Sequence, residues 1–151
     1  MKIAITGHTS GLGKSFYLEC INRGHTVQGF SRSNGYDLRD YSKVGKMIYK
    51  IQDFDLFINN AKPDYAQTQI LYRLVRSSTC NMIVNIGSKV IESPPNWTDT
   101  FLLEYFTQKI ALAHAVQVLS AVSKSQLILI NPEHLDDTDI FAKRQLDLLK
   151  V

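Results

Sequence analysis

The sequence predicts an α/β protein: a doubly wound parallel sheet of about six strands in the order 3-2-1-4-5-6, with helices on both faces. Three observations carry this. Short apolar runs alternate with segments of helical spacing along the whole chain. The inner runs, such as Phe54 to Ile58 and Met82 to Ile86, are almost continuously apolar, as strands covered on both faces are. The first run, Ile3-Ala4-Ile5, passes through a loop with three glycines, Gly7, Gly11 and Gly13, directly into a helix.

The elements follow in order. The first helix carries Leu12, Phe16 and Cys20 on one stripe, with Tyr17 and Ile21 beside it, and Arg23-Gly24 ends it. His25 to Phe30 reads as a second strand, Ser31 to Gly35 as a polar turn, and Tyr36-Asp37-Leu38 as a very short third strand. Asp40 is placed to cap a helix in which Val44, Met47, Ile48 and Ile51 keep helical spacing. The strand Phe54 to Ile58 ends at Asn59-Asn60-Ala61, and Pro63 opens a helical segment, Tyr65 to Val75. Met82 to Ile86 is a strand ending in Gly87-Ser88; a loop with Pro94-Pro95-Asn96-Trp97 follows. Thr98 or Asp99 then caps a long helix to about Val122. Gln126 to Ile130 is the last strand, ending in Asn131-Pro132, and a final helix is expected from Asp139 to Leu149.

The 151 residues suit one domain, 1–151, with a real core, and 44% hydrophobic with 21% charged residues is an ordinary globular composition. The net charge of +3 is small and scattered, which argues against a nucleic-acid partner. Cys20 and Cys80 read as free buried thiols, and none of the four histidines has metal-ligand spacing. The apolar start reaches Gly7 within a few residues, which does not read as a signal peptide, and Ile110 to Val122 is too short to span a bilayer. A soluble, cytoplasmic protein with no membrane partner is expected.

Strand, glycine loop and helix in this order form the context of a nucleotide-phosphate loop: glycines let the backbone approach the anion, and the helix N-terminus holds it. Gly13-Lys14-Ser15 resembles the end of the phosphate loop of ATPases, but that pattern needs a glycine where His8 stands. The pattern Thr-Gly-x-x-x-Gly-x-Gly is matched in full by Thr6, Gly7, Gly11 and Gly13. Further along, Tyr105 and Lys109 are four residues apart and share one helix face. An ammonium beside a phenol stabilises the phenolate and brings proton transfer towards neutral pH.

With Asn59-Asn60-Ala61 between them, these motifs resemble the short-chain dehydrogenase/reductase family over nearly the whole chain. The resemblance implies an oxidoreductase that reduces a carbonyl, or oxidises an alcohol, by hydride transfer. It implies Ser88 as the residue that orients the substrate oxygen, Tyr105 as general acid/base, and Lys109 as the partner that tunes Tyr105 and binds the nicotinamide ribose. It implies a cofactor cleft formed by Gly7, Thr9, Ser10, Gly11, Leu12 and Gly13, by Asp37 and Leu38 near the adenine, by Asn59, Asn60 and Ala61, and by Pro132 at the nicotinamide end. Ser31-Arg32-Ser33 stands where an acidic residue would accept hydrogen bonds from a ribose diol; a guanidinium flanked by hydroxyls suits a 2′-phosphate, so NADP is expected over NAD.

The chain departs from the family in several places. It is short, no asparagine matches the family's fourth catalytic residue, Lys62 replaces the glycine of Asn-Asn-Ala-Gly, and Glu133 that of Pro-Gly. Ser88 lies seventeen positions before Tyr105, with Ser93 as the alternative serine. Little chain follows Pro132, so an open substrate pocket is expected, walled in part by Pro94 to Trp97. The alternative function is a catalytically silent nucleotide-binding sensor or scaffold of the same fold. The helix from Thr98 to Val122 is apolar almost all round, which predicts a homodimer or homotetramer through that helix.

Overall fold

The computed structural model describes residues 1–77, 80–93, 99–133 and 135–151. Its strands are β1 (Lys2–Thr6), β2 (Thr26–Phe30), β3 (Leu56–Asn59), β4 (Met82–Ile86) and β5 (Gln126–Ile130). All neighbours pair in parallel, in the order β2-β1-β3-β4-β5. The helices are α1 (Gly11–Asn22), α2 (Tyr41–Lys50), α3 (Ala66–Ser77), α4 (Thr100–Leu119) and α5 (Thr138–Leu149).

This is the expected order with its outermost strand missing. Tyr36–Leu38 is not a strand, and the sheet of the described residues has five strands, not six. The cause lies in the turn. The Asn34 side chain donates to the Gly29 carbonyl (2.8 Å) and accepts from the Ser31 N–H (2.8 Å). A side chain has therefore taken groups at the end of β2 that a further strand would pair. The Tyr36 N–H closes the turn on the Ser31 carbonyl (2.9 Å), with Gly35 at φ +88°. Leu38 is buried, and Tyr36 packs edge-on against Phe30, so the apolar residues of this segment serve the core without joining the sheet.

Each inner strand feeds two cores, because successive side chains point to opposite faces. Ala4, Phe57 and Ile83 meet α2, α3 and α4 through Val44, Met47, Ile70, Leu74 and Leu112. Ile3, Ile5, Ile58 and Val84 meet α1 and α5 through Phe16, Cys20, Ala142 and Leu146. Both cysteines are free and buried. On α1, Phe16 and Cys20 are buried and Leu12 and Tyr17 partly so, while Ile21 is exposed.

Helix ends follow their caps. Asp40 accepts the Ser42 and Lys43 N–H groups, and Asp99 accepts those of Phe101 and Leu102. Asp137 caps α5 through Asp139 and Ile140, one residue earlier than the apolar pattern indicates. α4 stops at Leu119, short of Val122. It buries Phe106, Lys109, Leu112, Ala115, Val116 and Leu119 against the sheet and leaves Phe101 72% exposed, with Leu102, Ile110 and Val118 also open. Since α5 packs with α1, it does not cover this outer face. Among the described residues no helix is long and apolar enough to cross a membrane. The expected pocket wall, Pro94 to Trp97, lies outside the described residues, as does His134.

Candidate functional site

The site is built where the strands end. Thr6 closes β1, and its hydroxyl accepts the N–H groups of Asn60 and Ala61, each at 3.0 Å. The Asn60 side chain donates to the Thr6 carbonyl (3.1 Å). These bonds tie the end of β3 to the point where the glycine loop leaves β1. Gly7 turns the loop at φ +71° while its N–H bonds the Phe30 carbonyl (2.8 Å). A Cβ on Gly13 would lie 2.2 Å from the Gly7 oxygen, so α1 comes this close to the loop only with glycine there. Ser10 stands at the N-cap of α1 without a side-chain hydrogen bond. That arrangement leaves the first-turn N–H groups, which a helix cannot satisfy internally, to an anion.

In front of the loop lies a cleft of about 430 Å³. Nine of the expected cofactor residues line it: Gly7, Thr9, Ser10, Ser31, Arg32, Ser33, Asp37, Leu38 and Ala61. Arg39, which the sequence did not single out, lines it too. Gly11, Leu12 and Gly13 form the first turn of α1 beside it. Asn59 is withdrawn: it is fully buried, and its side-chain amide donates to the Gln67 carbonyl and to Asn85 Oδ1, each at 2.9 Å.

Pro132 belongs to a second cavity, about 420 Å³, which it lines together with Ser88 and Tyr105. Ser88 is held from two sides. Its N–H donates to Asn131 Oδ1 (3.1 Å) and its hydroxyl accepts the Val90 N–H (3.3 Å). Gly87 makes room for that clamp, since a Cβ there would lie 2.0 Å from Asn131 Oδ1. An ion pair of Lys89 with Glu133 closes the rim. Ser93, the alternative serine, ends the short helical turn Lys89–Glu92 and does not line this cavity.

Lys109 occupies a different place from Tyr105 although one helix carries both. Its side chain is 3% exposed, and its Nζ donates to Gln67 Oε1 (2.8 Å) and the Ile86 carbonyl (2.6 Å). Burial, reinforced by the charge of Lys62, pulls the Lys109 ammonium down from 10.5 to about 7. A neutral amine has two N–H groups, and two acceptors face them. Nζ lies 5.6 Å from the centroid of the Tyr105 ring, whereas the Nζ of Lys62 lies 4.0 Å from it. Gln67 organises this corner, donating to the Asn59 carbonyl (2.7 Å) and the Ile86 carbonyl (3.0 Å).

A dinucleotide suits these residues: a glycine cradle at a helix N-terminus, a cleft with two guanidiniums on one side, and a cavity with Ser88 and Tyr105 on the other. Among the described residues no group of His, Cys, Asp and Glu could hold a metal ion.

No family model matches the sequence, and no curated protein matches it. Solved structures do match. The 3-alpha-hydroxysteroid dehydrogenase from Pseudomonas sp. B-0831, complexed with NADH, superposes with a TM-score of 0.73 at 18% identity, over 99% of this chain and 88% of that one. The bulky-bulky ketone specific alcohol dehydrogenase from Comamonas testosteroni gives 0.79 at 17% identity, over 99% and 82%. The yeast methylglyoxal/isovaleraldehyde reductase Gre2, complexed with NADPH, gives 0.70 at 14% identity, over 89% of this chain and 58% of that one. What the chain shares with them at such identities is its architecture: it has the fold of the short-chain dehydrogenase/reductase structures.

Proposed function

We propose that the protein is an oxidoreductase of the short-chain dehydrogenase/reductase type, which uses NADP(H) to reduce a carbonyl or oxidise an alcohol. The observation that carries this reading is the convergence of Ser88, Tyr105 and Pro132 on one cavity at the strand ends, beside the glycine-loop cleft. The backbone of Gly7 to Gly13 and the α1 N-terminus would hold the pyrophosphate. Arg32, with Ser31 and Ser33, lines the adenosine end, and Arg39, paired with Asp64, borders it. Arg32 favours a 2′-phosphate.

A nicotinamide held by these residues would supply the hydride for the carbonyl carbon. Tyr105 supplies the proton that the carbonyl oxygen then needs, and Ser88, seated by Asn131, orients that oxygen. Asn59 and Gln67 keep the floor of the site rigid. The second reading, a silent nucleotide-binding module, is favoured by one observation: the Nζ of Lys109 is turned onto Gln67 and Ile86. The partner proposed is a second copy of the chain, seated on the outer face of α4.

The test is a fluorescence titration with NADPH and NADH, followed by a screen of aldehydes, ketones and quinones. NADPH should bind tighter, Arg32→Glu should abolish that preference, and Tyr105→Phe should remove turnover. Binding without turnover of any carbonyl would favour the silent module. Equal or tighter binding of NADH would overturn the NADP assignment.

A further inference from the structure

Lys62 stands immediately after Asn59-Asn60-Ala61, at the mouth of β3, on a stretch of backbone fixed by the bonds to Thr6. Its side chain is exposed, so its ammonium stays in contact with water. It nevertheless settles on an aromatic face, 4.0 Å from the centroid of Tyr105. This is closer than the 5.6 Å of Lys109, which is buried under the Ile86 carbonyl. The two distances bring both ammonium groups within about 10 Å of each other, a range over which like charges interact at a protein surface.

We propose that Lys62 is a positioning residue of the site: it supplies the positive charge beside Tyr105 and acts by repulsion on the ammonium of Lys109, farther from that ring. This rests on Tyr105 being the proton donor of the proposed reaction. The physical logic is a division of labour. A buried lysine that gives up its proton near neutral pH stabilises a developing phenolate by charge only in part. A solvated lysine over the ring adds to this, because a cation on a π-face is drawn more strongly as the ring gains negative charge. Lys109 is then a donor fixing the floor through Gln67 and the Ile86 carbonyl.

Other charges face this corner. Glu104 precedes Tyr105 on α4 and lines the small cavity that Lys62 and Tyr105 share. Arg39 and Asp64, in the same cavity, pair with each other at 2.9 Å. Lys89 and Glu133 pair across the other cavity that Tyr105 lines. The two ion pairs are internally balanced, and the Glu104 carboxylate accepts from Gln108 Nε2. Lys62 remains as the cation that lies directly over the ring, with Lys109 farther from it.

The experiment compares Lys62→Met and Lys62→Arg with the native protein by two readouts. The first is the titration of Lys109, followed by NMR of 13Cε-lysine and assigned with Lys109→Met; it needs no turnover. Removing the Lys62 charge should raise the Lys109 midpoint by roughly half a pH unit at low salt, less at 0.5 M salt, and arginine should leave it in place. The second is the pH profile of carbonyl reduction: kcat of Lys62→Met should fall about fivefold with KM unchanged, and arginine should restore it. A Lys109 midpoint unmoved by Lys62→Met, or an unchanged kcat in an active enzyme, overturns the inference. If no carbonyl is turned over by the native protein but the midpoint moves, the reductase reading fails while the coupling of the lysines stands.

Discussion

Lys109 Nζ donates a 2.8 Å hydrogen bond to Gln67 Oε1, joining the middle of α4 to the first turn of α3 beneath the sheet's C-terminal edge. Gln67 is 4% exposed, so the bond is made without water. Its consequence for stability has a definite sign. The Lys109 pKa is about 7 in the folded protein, against 10.5 for a free side chain. Between those values the unfolded chain binds the extra proton, so stability rises with pH from about 7 towards 10. Lys109 should contribute on the order of 3 kcal/mol between pH 7 and 9.5. Urea unfolding at the two pH values should show this rise in the native protein and not in Lys109→Met. Parallel curves for the two proteins would mean that Lys109 is charged where it sits.

Gln67 itself is open to a simpler test. Gln67→Leu removes the side-chain donor of the Asn59 carbonyl, one of two donors to the Ile86 carbonyl, and one of the two acceptors of Lys109. A loss of about 2–4 kcal/mol is expected, since buried polar groups deprived of partners keep their full desolvation cost. Urea unfolding at pH 8 measures it; a loss under half a kcal/mol would contradict the geometry.

Two glycines of the loop should behave differently. Gly13→Ala drives a Cβ against the Gly7 oxygen, a backbone atom that cannot move aside. Gly11 has open space around it and only an unfavourable φ of +51°. Gly11→Ala should cost roughly 1–2 kcal/mol, and Gly13→Ala more, together with loss of nucleotide binding. The reverse ranking in thermal unfolding would refute the packing of α1 on the loop.

Burial pushes the Cys20 thiol up to about 12 and Cys80 to about 11. The thiolate is the reactive form, so neither should react with a disulfide reagent at pH 8 until the chain unfolds. Both should react in denaturant. Fast labelling of the native protein at either position would show that its core opens.

Self-association should run through α4. Phe101 and Val118 protrude from it, 72% and 49% exposed. Phe101→Glu with Val118→Glu should convert a sedimenting dimer or tetramer to a 17.1 kDa species. A native protein already sedimenting as a monomer at micromolar concentration would end that assignment.

Much of the fold was legible because its signals are local. Gly7 and Gly13 mark where backbone meets backbone, Asp40 and Asp99 mark helix starts, and the apolar runs mark strands covered on both sides. The segment at Tyr36 misled because its apolar residues suit either a strand or a core plug. Only the bond from Asn34 to Gly29 decides between them, and side-chain capture of a strand edge leaves no pattern in the sequence. In the site, Ser88 and Tyr105 could be placed from their positions after a strand and on a helix. Gln67 could not, because one glutamine on an amphipathic helix looks solvated until distant elements close over it. The burial of Lys109 depends on the same closure, and Lys62 was visible only as a departure from a glycine.

The Asn59–Asn85 bond has one more effect. These residues are partners in the β3–β4 register, and their strands are otherwise Leu-Phe-Ile beside Met-Ile-Val. A sheet greasy on both sides would bury its side chains almost equally well if one strand slid along its neighbour by a step. Only in the native alignment does the Asn59 amide meet that of Asn85. Shifted pairings would lose this bond and leave the buried Asn85 side-chain oxygen without its donor. The pair therefore acts as an alignment pin during assembly, penalising misthreaded sheets at the step when hydrophobic collapse alone could not tell them apart.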